Sequence, residues 1–495
     1  MPPTTLSGAR IGLGLGLLGY AVLLYILIGA VPGGSDNSGY FNEARLLANG
    51  RMHVPMRTLA GLPADETPFL YTPLGFKPAA AGNSQLVPTY PPGLPLLLVP
   101  AARLIGWDHA GDALLLIHSL AGIALVFALG RICGLPGPWA LAGSAILAAS
   151  PLYLYTSLQA LSDVPATVWA TAAVVAALKG REKAGWALVS GACISVAFLI
   201  RPNNFLIAIP VLIAVGISPR RVSLVALGSL PGIAAWMAVN RAAYGSALQS
   251  GYGAIGNEFH AGLIPGTLAF YVWWLPLLLS PVVIFAPSIL AFIGRVPRIT
   301  CVLASWATAY IAFFSAYRWT HEQWWFLRFL LPAAPALIVA GLVVPHLWYE
   351  RVRASRGGAM VRLLPVLLIA AAIGVEAGQT RPLREAWSIG HGERKYGRVC
   401  GWLNVHLPGN SAVVVSQASG ALFYFTPFTL LRYEEMNPSV ALRAEASLRS
   451  EGRPLYAVLF PFEEGVLGRL PGRWDHAASV DDVSIWRCET PEPAK

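Results

Sequence analysis

Two aspartates and three arginines stand near the ends of long apolar runs, Asp36 and Asp163 with Arg201, Arg241 and Arg328, and a fourth cation, Lys77, lies in the long polar stretch after the first run. A carboxylate so placed can accept a proton from a hydroxyl as a general base, or it can simply cap a helix N-terminus. An arginine can hold a phosphate through two parallel N–H donors, and a lysine can hold it as a point charge. The competing role for each cation is to reach along the bilayer surface to lipid headgroups. His260 and His321 also fall in polar stretches, where contact with a substrate competes with plain solvation. Trp273, Trp274, Trp319, Trp324 and Trp325 suit stacking on a sugar, and equally suit the aromatic belt of any membrane protein.

The elements that must position these groups are membrane helices. Of 495 residues, 55% are hydrophobic and 12% charged, against roughly 25% charged in a soluble domain. The apolar residues gather in runs suited to a hydrocarbon core of about 30 Å: 11–31, 113–129, 139–155, 164–178, 185–200, 205–217, 222–239, 268–293, 300–314, 329–347 and 363–375. This predicts about eleven spanning helices, with a shorter piece at 94–105 lying in the interface. The net charge of +10 resides in short clusters between apolar runs, which speaks for membrane orientation and against a nucleic-acid partner. Run 11–31 lacks a following small-residue cleavage site and is read as a helix that is retained.

Lys and Arg are held on the cytoplasmic side, so placing Arg10 inside makes every second loop basic: Arg131, then Lys179 to Lys183, Arg220 and Arg221, Arg295 and Arg298, and Arg351 to Arg362. The opposite loops carry Asp36, Asp163, Arg201, 240–266 and 317–328, and are predicted to face outward with the chemistry. Residues 1–375 form the membrane domain and 376–495 an outer soluble α/β domain, with buried strands at 412–415 and 455–459 and a helix at 439–450 capped by Asn437-Pro438. Cys400 and Cys488 are the only cysteines of that tail, and an oxidising compartment would pair them. No Cys/His spacing suggests a metal site.

Between the first two spans, Ser35 to Gly50 places Tyr40, Phe41, Ala44, Leu47 and Ala48 at helical spacing, with Asn42, Glu43, Arg45 and Asn49 opposite, predicting an amphipathic helix on the membrane surface. Thr89-Tyr90-Pro91-Pro92-Gly93 and Leu161-Ser162-Asp163-Val164-Pro165 follow in order, then Arg328-Phe329-Leu330-Leu331-Pro332. In this order the segments resemble the GT-C glycosyltransferases, in particular the branch of protein O-mannosyltransferases and the lipid A aminoarabinose transferase. There an Asp follows the first helix and Tyr-x-x-x-Ala-x-x-Leu-x-x-Gly comes next, matched here by Tyr40, Ala44, Leu47 and Gly50. The family often has a second acid where this chain has Asn37.

The resemblance implies an all-α polytopic GT-C fold with interfacial helices in the first outer loop, a polyprenyl-phosphate sugar as donor, and a glycan, lipid or protein as acceptor. It makes Asp36 the catalytic base and gives Asp163 a supporting role. Arg328, Arg201, Lys77 and Arg241 then hold the donor phosphate, while Tyr40, Glu43, Tyr90, His260 and His321 line the substrate. No cofactor is expected and a divalent metal is not indicated. The setting is a cytoplasmic membrane, with the N-terminus inside and the tail outside. A transporter or flippase of lipid-linked sugars shares that setting, but would place its charges near the midplane and not at helix ends. A membrane-anchored binding or assembly protein working through its tail is opposed by the rich outer loops.

Overall fold

The computed structural model describes residues 3–79, 84–253, 255–354, 367, 370–376, 378 and 380–489. It forms two compact units: Met1–Ile28, Asp112–Ala235 and Ala254–Ile389 make the first, and Gly29–Gly111, Trp236–Gly253 and Gly390–Lys495 make the second.

The first unit is helical. Among the described residues of the chain, six helices are long and apolar enough to cross a bilayer: Gly8–Leu27, Trp107–Ile132, Pro219–Tyr244, Ala261–Leu278, Pro297–Ser315 and Trp324–Arg351. Shorter apolar helices lie at Gly93–Ile105, Gly137–Ala149, Gly185–Ile200, Pro202–Val215 and Pro281–Phe292. This is a multi-span membrane protein. Several runs that hydropathy reads as single spans are broken by proline, which removes a backbone donor. Run 139–155 splits at Ser150-Pro151, where the Ser150 hydroxyl accepts from Tyr153 N at 3.3 Å and donates to Leu278 O at 2.6 Å. Run 268–293 ends its α-helix at Leu278 and continues from Pro281 as a 3-10 segment, again with a serine cap, Ser280 on Val282 N. Most of run 363–375 lies outside the described residues.

The second unit is mixed. Ser35–Ala48 and Gly93–Ile105 are helices, and between them Val54–Pro55, Gln85–Pro88 and Phe76–Pro78 form a three-stranded antiparallel sheet. The C-terminal sheet runs in the order Thr429–Arg432, Ala412–Val415, Leu455–Leu459, Val483–Glu489, Arg473–Val480, with the first three strands parallel and the last two antiparallel. Helix Pro438–Ser450 starts as expected, with the Asn437 side chain accepting from Val440 N.

The sequence places a domain boundary at 375/376, yet the loop after the first helix shares one hydrophobic core with the tail. Leu59, Leu62, Leu70 and Leu86 from the loop join Val413, Leu431, Val458 and Ile485 from the C-terminal strands. A fully buried leucine contributes about 1.5–3 kcal/mol, so neither segment retains its core alone.

This packing also corrects the reading of the Ser35–Ala48 helix as one with a solvated polar face. Residues Asn37 to Ala44 are all buried. Asn42 donates to Gly420 O at 3.0 Å, and Arg45 donates to Tyr424 O at 2.8 Å with its guanidinium 3.3 Å from that ring's centroid. A second correction concerns the tail cysteines. Both are free thiols: Cys400 is buried in the core on helix Thr380–His406, and Cys488 lies on strand Val483–Glu489 opposite Trp474.

Candidate active site

Asp36 occupies the first turn of the Ser35–Ala48 helix, where a negative charge is favoured by the helix dipole. The N-cap is Gly34, so the simple capping role falls elsewhere. The Tyr90 hydroxyl donates to Asp36 Oδ1 at 2.7 Å. That uses its one proton, so the Ser35 hydroxyl, 3.2 Å away, must donate to Tyr90. Burial first, and then the Asp36 charge, raise the Tyr90 hydroxyl well above its ordinary value and keep it a donor. Rings of Tyr40 and Tyr252 flank Tyr90 at 4.9 and 6.3 Å between centroids. Gly39 creates the space: a Cβ there would stand 2.3 Å from the Tyr90 ring. The two sequence motifs, 35–50 and 89–95, thus meet at one carboxylate.

Behind the helix start, Glu393 Oε2 accepts from Gly34 N at 2.8 Å and from Asn37 Nδ2 at 2.6 Å. Lys77, on strand Phe76–Pro78, donates to Ser250 O at 3.2 Å and lies 4.2 Å from the Tyr244 ring centroid. Burial lowers the pKa of its ammonium. Arg241 is exposed in the last turn of the Pro219–Tyr244 helix.

In the first unit, Asp163 opens the Asp163–Lys179 helix behind the N-cap residue Ser162 and is fully buried. It pairs with Arg201 Nη2 at 3.0 Å and lies 3.9 Å from Arg328 Nη1. The pairing is electrostatic, since neither carboxylate oxygen accepts a well-directed hydrogen bond among the described residues. Arg201 Nε donates to Ser162 Oγ at 2.8 Å, and both guanidiniums stand near the Phe329 ring, 5.5 and 5.6 Å from its centroid. The structure therefore brings together the two arginines singled out as phosphate holders and assigns Asp163 to them. His260 is exposed and bonds through its backbone to Ala316 O at 2.8 Å, while His321 is half-buried after the turn Arg318–Thr320.

Residues 90–239 match the family of dolichyl-phosphate-mannose-protein mannosyltransferases. No match was found among curated proteins. Among solved structures, ArnT from Cupriavidus metallidurans in the apo state superposes with TM-score 0.56 at 14% identity, over 97% of this chain and 98% of that one. The same protein bound to undecaprenyl phosphate gives 0.53, also at 14% identity, over 96% and 97%. The oligosaccharyltransferase of Archaeoglobus fulgidus, tethered with an acceptor peptide, gives 0.51 at 12% identity over 90% of this chain and 68% of that one. The chain has the GT-C fold.

Two features of this GT-C chain were not visible in its motifs. Glu393 lies more than 350 residues from the helix it holds. A signal in its neighbourhood is that it stands one turn before, and in phase with, the apolar stripe of Tyr396, Val399, Cys400, Leu403 and Leu407, a spacing that faces the core. The second is the state of Glu43, two turns beyond Asp36 on the same helix face. It is buried, and its Oε2 has no hydrogen-bond partner among the described residues. Burial raises its carboxyl well above 4.5, so the native state holds a proton that the unfolded chain releases. Stability therefore falls as pH rises from about 4.5 toward that raised value. Glu43→Gln is expected to flatten this part of the stability–pH curve without lowering the thermal midpoint at neutral pH. Thermal unfolding across pH checks it, and an unchanged slope would show that Glu43 is not the titrating group.

Proposed function

We propose that this chain is an integral membrane glycosyltransferase that moves a sugar from a polyprenyl-phosphate donor to an acceptor hydroxyl at the outer face of a cytoplasmic membrane. Support comes from the GT-C fold along nearly the whole chain and from the mannosyltransferase-like stretch. ArnT binds undecaprenyl phosphate in its own structure, which supports the same class of carrier here. The observation that carries the chemistry is the Tyr90 to Asp36 hydrogen bond at the first turn of the outer helix.

In this reading the acceptor oxygen attacks the anomeric carbon as the bond from that carbon to the phosphate oxygen breaks. The acceptor proton passes to Asp36, and the polyprenyl phosphate departs with the bonding electrons. Tyr90 holds the Asp36 carboxylate in one orientation, which is what converts an acid into an effective base. Arg201, Arg328 and Lys77 stabilise the departing phosphate. Tyr40, Tyr90 and Glu43 contact the sugar or the acceptor. The configuration at the anomeric carbon inverts.

Orientation has its own test. Single cysteines at positions 220 and 353 are expected to resist a membrane-impermeant thiol reagent in intact cells, and one at position 257 is expected to react. Reaction at 220 and 353 with protection at 257 would place the chemistry on the wrong side of the membrane.

A further inference from the structure

The Glu393 carboxylate reaches the Asp36 helix from a segment remote in sequence, and it touches both sides of Asp36. One oxygen, Oε2, accepts from the backbone of Gly34, two residues before, and from the side chain of Asn37, one residue after. The space is cleared for it: a Cβ on Gly33 would stand 1.9 Å from Oε2, and one on Gly29 would stand 2.0 Å from Gly390 O. Behind it, Tyr396 of the same helix accepts from Gln417 Nε2 at 3.0 Å. Gln417 N donates in turn to Glu463, whose two oxygens also take Tyr433 OH and Phe460 N. The loops at the carboxyl ends of the parallel C-terminal strands thus hold the helix through Tyr396, one turn from Glu393.

We propose that Glu393 is a positioning residue for Asp36, so that the C-terminal α/β segment completes the active site by fixing the backbone from which the base projects. This rests on Asp36 being the base, as proposed above. One acceptor oxygen holding residues 34 and 37 removes the freedom of the turn between them, and both bonds favour the ionised carboxylate. Burial pushes the Glu393 carboxyl up to about 7, opposed by the Gly34 and Asn37 bonds, with the Asp36 charge pushing up further. The Asn37 amide is matched to this carboxylate, whereas an acid at position 37 would face Glu393 with like charge.

A charge swap on the full-length protein tests the proposal, with turnover of a polyprenyl-phosphate sugar as the readout. Asn37→Asp is expected to lower kcat about a hundredfold, the scale of a misplacement near 1 Å, with KM nearly unchanged. Asn37→Asp combined with Glu393→Gln removes the like charge and restores a donor–acceptor pair of reversed polarity, the glutamine amide donating to the carboxylate introduced at position 37. Most of the lost kcat should return. The proposal is overturned if the double variant folds but does not recover, or if Asn37→Asp keeps full turnover. Should Asn37→Asp not fold, Glu393→Met alone decides, because it keeps much of the volume and removes the acceptor that Gly34 and Asn37 share: a fall in kcat at constant KM supports positioning, and wild-type kcat overturns it. Asp36→Asn runs in parallel, so retained activity there refutes the base assignment itself and is distinguishable from failure of the swap.

Discussion

Asp36→Asn is expected to abolish sugar transfer, lowering turnover by about a hundredfold to ten-thousandfold, the usual cost of a lost general base. Expression, membrane insertion and donor binding should stay nearly intact. The amide matches the carboxylate in size and its oxygen can still accept from Tyr90, so the bond at 2.7 Å survives. What disappears is the capacity to take a proton. The charge in the first helical turn is worth only about 0.3–1 kcal/mol to the helix, far too little to account for loss of turnover through unfolding. Activity above about a tenth of wild type would lie outside the range for a lost base and would reduce Asp36 to a structural acid.

Arg201→Ala is expected to have the largest effect on stability, about 3–5 kcal/mol, because it strips the 3.0 Å partner from the fully buried Asp163 and leaves its charge poorly compensated. Arg328, at 3.9 Å, replaces little of that pairing. The sequence alone predicts that losing either arginine harms donor use more than folding; the burial of Asp163 reverses this for Arg201 and retains it for Arg328. Arg201→Ala should therefore lower the thermal midpoint in detergent sharply, and adding Asp163→Asn should recover part of the loss. Arg328→Ala should show mainly as weakened use of a polyprenyl-phosphate donor, with Arg328→Lys restoring only part because it cannot contact phosphate bidentately. A wild-type midpoint for Arg201→Ala would mean that Asp163 does not depend on that pair.

What could be read from the sequence follows the range of the interactions. Apolar runs report burial in lipid, so most helices fell where hydropathy placed them. Runs 139–155 and 268–293 misled because hydropathy does not register a missing proline N–H or a serine cap inside an apolar stretch. The tail strands Ala412–Val415 and Leu455–Leu459 were legible as short wholly apolar segments between turn residues. Asp36 and Tyr90 were legible because each lies in a local motif, although their hydrogen bond was not. The pairing of Asp163 with two arginines and the reach of Glu393 are long-range facts, and no local spacing encodes them. The buried polar face of the Ser35–Ala48 helix was misread for the same reason: amphipathic spacing shows that two faces differ, but not whether water or a folded segment meets the polar one.

Purified protein in liposomes containing a polyprenyl-phosphate sugar and an acceptor lipid separates sugar transfer from mere movement of the lipid, with mass spectrometry following both the carrier and the sugar. Cleavage of the donor is expected, giving free polyprenyl phosphate and glycosylated acceptor with wild-type protein and neither with Asp36→Asn. Donor that crosses the bilayer intact, with no polyprenyl phosphate released, would contradict the assignment and make the chain a flippase.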